Sequence, residues 1–181
     1  MGSHAIGAAR SAQLRRPARL HRLYRARSVE GLRRQYSRLE LVFVAHTIKA
    51  WEFPEGEFFQ VRGSGGTVAS SAFSLVEEIV GQRYDPSRYN IYLFYGSDGE
   101  NFKDDHDAAE TSLGRLADVA SYIGYVETPA TAEHALETET AGIFKTVLAD
   151  GCPGGSYPLT TNESVWDAIR AFFREQVAAE P

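Results

Sequence analysis

The sequence holds no aspartate before Asp85, no lysine before Lys49, one cysteine, and no methionine beyond Met1. Each shortage excludes something. A metal motif led by an aspartate cannot occur in the first 84 residues. Cys152 has no partner for an internal disulfide, and between Gly151 and Pro153 it reads as a loop thiol without a ligand role. No stretch approaches the roughly 18 apolar residues that a membrane helix requires. The cation-rich start is not followed by an apolar region, so it is not a signal peptide. The expectation is a soluble, cytoplasmic chain that does not engage a membrane.

What is present begins with 181 residues at 43% hydrophobic, enough for one sizeable core. The net charge of −5 conceals an asymmetry: ten of the 19 Lys and Arg lie in residues 1–40, against only Glu30 and Glu40. Arg15, Arg16, Arg19, Arg22, Arg25, Arg27, Arg33 and Arg34 could neutralise nucleic-acid phosphates. Residues 1–31 have no lysine, only Tyr24 as an aromatic, and abundant Ala, Ser and Leu, so a solvated tail accounts for them better. Residues 1–31 are therefore read as a basic, flexible leader without a nucleic-acid partner, and 32–181 as the domain.

From residue 32 the pattern alternates between strand and helix. Leu39 to Ala45 reads as a strand buried on both faces, and Ile48–Phe53 with Glu57–Val61 as a hairpin turning at Pro54-Glu-Gly56. Val68, Ala72, Leu75, Val76, Ile79 and Val80 recur at helical spacing, with Thr67 at the helix start and Gly81 as a stop. Asn90–Tyr95 and Tyr122–Glu127 are further buried strands. Helices are expected over Asp105–Ala120 and Ala132–Leu148, then a short strand at Tyr157–Leu159. A last helix is capped by Asn162 and carries Val165, Trp166, Ile169, Phe172 and Phe173 as its apolar stripe. This is the pattern of an α/β fold: a three-layer, doubly wound, mostly parallel sheet.

In such sheets ligands bind beyond the carboxyl ends of the strands, where the loop after Tyr95 places Ser97, Asp98 and Glu100. Thr67, at the head of a helix, can face the same edge. A carboxylate and a hydroxyl converging from two loops suit a hard cation such as Mg²⁺, although two ligands do not make a site. On residue types alone, Thr67 as a cap and Asp98 as a turn former explain both positions. The glycine loop at 63–66 lacks the Lys-[Ser/Thr] of a phosphate-binding P-loop. Asp98, Glu100, Asp104, Asp105 and Asp107 lack the positions of an EF-hand loop, and carboxylates at a helix start explain the last three. His46, His106 and His134 have no i, i+4 pairing for zinc. Ser70 and Ser71 have no evident base partner.

Several segments together resemble the YeaH/YhbH family: Val42-Phe-Val-Ala-His46-Thr47, Glu57-Phe-Phe59, Ser64-Gly-Gly-Thr67-Val68-x-Ser70-Ser71-Ala72, Arg83-Tyr84-x-Pro86-x-x-Tyr89-Asn90-Ile-Tyr92, Ser97-Asp98-Gly99-x-Asn101 and Asp104-Asp105. These are bacterial stress-response and sporulation proteins, and the match runs from about Leu32 to Glu127. The resemblance implies a von Willebrand factor A-like fold without catalysis, acting alongside a PrkA-type serine protein kinase. It makes Thr67 and Asp98 the second and third elements of a metal-ion-dependent adhesion site, with Ser97, Glu100 and His46 behind them. Relatives carry an Asp-x-Ser-Gly-Ser-Met strand before the match, which this chain lacks. The expectation is thus a domain without its first, central strand, binding Mg²⁺ weakly or not at all and prone to aggregation. A truncated or frame-shifted origin would account for the arginine-rich leader, and Met1-Gly-Ser-His4 looks like the start of an expression tag. Two function classes follow: a non-enzymatic protein-interaction module with a remnant metal site, or a divalent-metal-dependent hydrolase at the same edge.

Overall fold

The computed structural model describes residues 3–11, 27, 30, 33, 38–61 and 66–178. Among these residues a single six-stranded sheet runs β3-β2-β1-β4-β5-β6. The strands are β1 (Ser3–Ser11), β2 (Leu39–His46), β3 (Ala50–Phe53), β4 (Tyr89–Ser97), β5 (Tyr122–Glu127) and β6 (Gly154–Pro158). All neighbouring pairs are parallel except β2 with β3. The helices are α1 (Glu55–Phe58), α2 (Ala69–Arg83), α3 (His106–Ala117), α4 (Glu139–Ala149) and α5 (Asn162–Ala178).

Alternation along the strands sends side chains to two opposite cores. Val42, Val44, Ile91, Leu93, Tyr95, Ile123 and Tyr125 meet α2, α3 and α4 through residues such as Phe73, Leu113 and Phe144. Tyr92, Phe94, Tyr122 and Val126 face the other way, onto Val165, Ala168, Ile169 and Phe172 of α5. Beside this second core Phe43 and Ala45 pack on Phe58 of α1. Helices therefore cover both faces of a mostly parallel sheet.

The largest correction concerns the start of the chain. The central position expected to be empty is filled by β1, whose Ser3–Arg10 run beside Tyr89–Gly96 while His4–Ser11 run beside Leu39–His46. The reading of residues 1–31 as a flexible leader is corrected over 3–11. Arg15, Arg16, Arg19, Arg22, Arg25 and Arg34 lie outside the described residues, as do Arg62–Gly65 of the glycine loop. The physical reason is that ladder bonds are made by backbone groups, so two open strand edges accept a segment without hydrophobic alternation.

Other boundaries also move. The expected hairpin across Pro54 is absent: β3 pairs back onto β2, and Glu55–Phe58 form a helical turn that buries Phe58. The helix expected from Ala132 is a short 3-10 turn, and α4 starts only after Thr138, whose hydroxyl caps it by accepting from the Ala141 N–H. Gly81 does not stop α2, which continues to Arg83. At α5 the Ser164 N–H donates to Thr161 Oγ1, so Thr161 rather than Asn162 is the cap. Trp166 is 41% exposed and lies outside the buried stripe.

Candidate functional site

Because β1, β2, β4 and β5 are parallel, their carboxyl ends form one edge carrying Ser11, His46, Ser97 and Glu127. The chain leaving the glycine loop is tied to this edge by backbone hydrogen bonds. Val68 N–H donates to Thr47 O at 2.9 Å, and Phe102 N–H donates to Thr67 O at 3.1 Å. Thr67 and the Asp98 loop, 31 residues apart in sequence, are thus neighbours in space. Thr67 is buried at 2% exposure and precedes Val68, the residue at the cap position of α2.

The caps of α2 come from across the edge. Asn101 Oδ1 accepts from Ala69 N–H at 3.0 Å, and Asp105 accepts from the Ser70 N–H at 3.0 Å and from the Ser70 hydroxyl. A carboxylate at a helix amino terminus is favoured by the dipole as well as by these bonds. Reading Asp105 as a start-of-helix carboxylate for its own helix is therefore incomplete, because it serves α2. The same contacts explain Ser70 without catalysis.

Asp98 sits in a tight turn. Ser97 Oγ accepts from the Gly99 N–H at 2.8 Å, Gly99 adopts φ 92°, and Asp98 Oδ1 accepts a long 3.4 Å bond from Glu100 N–H. The Asp98 carboxyl is half-buried, and burial above all raises its pKa, with the Glu100 and Glu127 charges adding to the rise. Ser97 is fully buried, with its hydroxyl engaged in the turn, while Glu100 is exposed. His46, 1% exposed, meets the Tyr95 hydroxyl through Nε2 at 2.9 Å. Burial pushes the Tyr95 hydroxyl well above its ordinary range.

Among the described residues no three His, Cys, Asp or Glu side chains gather as a metal-holding group. Of the expected ligands the edge brings together the Asp98 carboxylate and Thr67; the Glu127 and Asp105 carboxylates are taken up by hydrogen bonds within the fold, and Ser3–Ser11 supply no carboxylate. That set falls short of the charge-compensating oxygen shell a hard cation needs. The sequence reading missed Glu127, which is completely buried at the end of β5 and bonded to Tyr125, Leu136 and Thr138. Its signal was available: a glutamate ending an otherwise apolar buried strand requires donors.

A family model described as a protein of unknown function, DUF444, matches residues 29–176. The chain belongs to this family. DUF444 is the YeaH/YhbH group, so the family read from the motifs is the one matched. A UPF0229 protein of Ruminiclostridium cellulolyticum is 43% identical over 96 residues, covering 53% of this chain and 24% of the relative. A second, from Pectobacterium atrosepticum, is 32% identical over 146 residues, covering 80% of this chain and 34% of the relative. The DUF444 chain thus spans about a quarter to a third of the length of these curated relatives. Among solved structures, the PilB minor pilin from Streptococcus sanguinis has a TM-score of 0.73 at 7% identity, over 99% of this chain and 64% of that one. BatB from Bacteroides thetaiotaomicron has a TM-score of 0.64 at 13% identity, over 97% of this chain and all of that one. At these identities the DUF444 chain shares a fold with both. Among the described residues no helix is long and apolar enough to cross a membrane.

Proposed function

We propose that this DUF444 chain is a von Willebrand factor A-like protein-interaction module that does not catalyse a reaction, and that it engages its partner at the carboxyl edge around Thr67 and Asp98. The observation that carries this reading is the Phe102–Thr67 backbone bond, which unites the two motif loops on one edge while their polar groups serve the fold. Ser70 is spent on Asp105, and His46 is buried against Tyr95. The edge nevertheless keeps a partner-accessible side: Ile48 is 57% and Phe102 50% exposed, and Glu100, two residues before Phe102, is exposed as well. Exposed apolar groups rimmed by charge are the usual composition of a recognition surface. In relatives that carry the Asp-x-Ser-x-Ser motif Mg²⁺ would join Thr67 and Asp98; in this chain, without those ligands, weak or no affinity is the expectation. A PrkA-type serine protein kinase is the partner to test first, as the family resemblance suggests.

The test is site-specific photocrosslinking to the purified kinase from position 100, with position 150 on α4's carboxyl-terminal side as control. Crosslinks from 100 that disappear with Asp98→Ala are the expected result; equal yields from both positions would sink the assignment. Turnover of a phosphate or acyl ester with Mn²⁺, lost in Asp98→Ala, would replace the module reading with that of a hydrolase.

A further inference from the structure

Glu127 ends β5 in the middle of the carboxyl edge with no exposed surface. A carboxylate buried so completely has to be held by donors, and three are aimed at it. The Tyr125 hydroxyl donates to Oε2 at 2.7 Å, the Thr138 hydroxyl to the same oxygen at 2.5 Å, and the Leu136 N–H to Oε1 at 2.8 Å. The last of these is made at a backbone cost. Leu136 has φ 61°, the only positive value at a non-glycine residue among those described.

Thr138 also touches the Asp98 turn. A Cβ on Gly99 would lie 2.4 Å from the Thr138 side chain, so the two segments are pressed together there. Thr140 closes the junction, its N–H donating to Gly99 O at 3.2 Å and its hydroxyl to Glu100 O at 3.4 Å. A continuous set of contacts therefore runs from Glu127 through Thr138 and Thr140 to the residues on either side of Asp98.

We propose that Glu127 is a positioning residue for the Asp98 edge, holding the Gly99 turn through Thr138 and Thr140 in the shape that a partner meets. The proposal rests on reading that edge as the interaction site. Its oxygens fix the entry to α4 against the turn. Glutamine at 127 preserves the volume but removes the charge and replaces one acceptor with an NH2 group, which the Leu136 N–H cannot meet and the two hydroxyls meet only by reversing their donation.

Glu127→Gln and Thr138→Val in the full chain, followed by NMR, test this without any partner. The readouts are amide exchange at Thr140, referenced to the core amide of Leu93, and the amide chemical shifts of Asp98, Gly99 and Glu100. Thr140 exchange should accelerate by about tenfold or more relative to Leu93 in both variants, and the three turn shifts should move. Wild-type exchange at Thr140 in a folded Glu127→Gln chain would overturn the proposal. So would faster exchange with unmoved turn shifts, which would reduce Glu127 to a fold-stabilising group. If Glu127→Gln does not fold, Thr138→Val decides: accelerated Thr140 exchange supports the proposal and unchanged exchange overturns it. Loss of crosslinking at position 100 with these results intact would fail the interaction reading alone.

Discussion

At the scale of single residues the edge is held by side chains bonded to distant parts of the fold. Asp105 and Asn101 cap a helix 32 to 35 positions earlier in sequence, and Glu127 fastens a loop. Asp98 stands apart, a half-buried carboxyl held only by backbone groups of its own turn, with like charges around it. Its raised pKa has a definite sign in the stability. The native state holds the proton more tightly than the unfolded chain, so the ionised form costs stability above the native pKa, and that cost disappears as pH falls below the unfolded value. Asp98→Asn should therefore stabilise the chain at pH 7 by about 0.5–1 kcal/mol, a partly solvated charge being worth no more. Urea midpoints at pH 7 and pH 3.5 check this, with the gain expected only at the higher pH. A destabilised Asp98→Asn chain at pH 7 would mean that the carboxylate is engaged more strongly than those backbone groups indicate.

Among the elements, the junction of α3 and α4 carries the clearest pH dependence. His106 opens α3 and its Nδ1 lies 2.6 Å from Glu139 Oε1 at the start of α4, with Glu110 3.4 Å from Nε2. Hydrogen bonding to Glu139 is the main reason that the His106 pKa is raised. The stabilisation this contributes is fully present below the unfolded histidine value of about 6.5 and is lost as pH rises through the higher folded value. Thermal midpoints from pH 5.5 to 8.5 should fall less in His106→Gln than in the wild type. Identical slopes would show that the pair contributes nothing, which is a fair risk for groups this exposed. The element boundaries that the sequence misplaced follow from the same kind of contact. Helical periodicity from Ala132 onward is real, but Glu127 captures the Leu136 N–H and Thr138 caps the helix, so α4 begins at Glu139. Hydrophobic spacing does not carry information about a carboxylate arriving from another strand.

For the whole molecule, β1 decides the architecture. It lies between β2 and β4 and completes the ladder across the sheet centre, so the two cores are built on one continuous platform. Removing residues 1–11 would open facing edges on β2 and β4, and unpaired central edges invite pairing with other chains. The shortened chain should lose its cooperative thermal transition and elute as aggregates in size-exclusion chromatography with light scattering. A monomeric, cooperatively folding product would show that the ladder at the centre is dispensable. The aggregation expected from a missing first strand is thereby transferred to a chain that truly lacks one.

The sequence by itself determined the family and the alternation of strands and helices from Leu39 onward, and it put Thr67 and Asp98 forward together as candidates. These properties are written in local hydrophobic period and in motif spacing, which survive without knowledge of the fold. Only the tertiary structure decided that Ser3–Ser11 occupies the sheet centre, that Asp105 caps α2, and that Glu127 governs the entry to α4. The physical reason is common to all three. Backbone ladders accept many sequences, and a buried donor or acceptor is satisfied by whichever group the packing brings within reach, however distant along the chain.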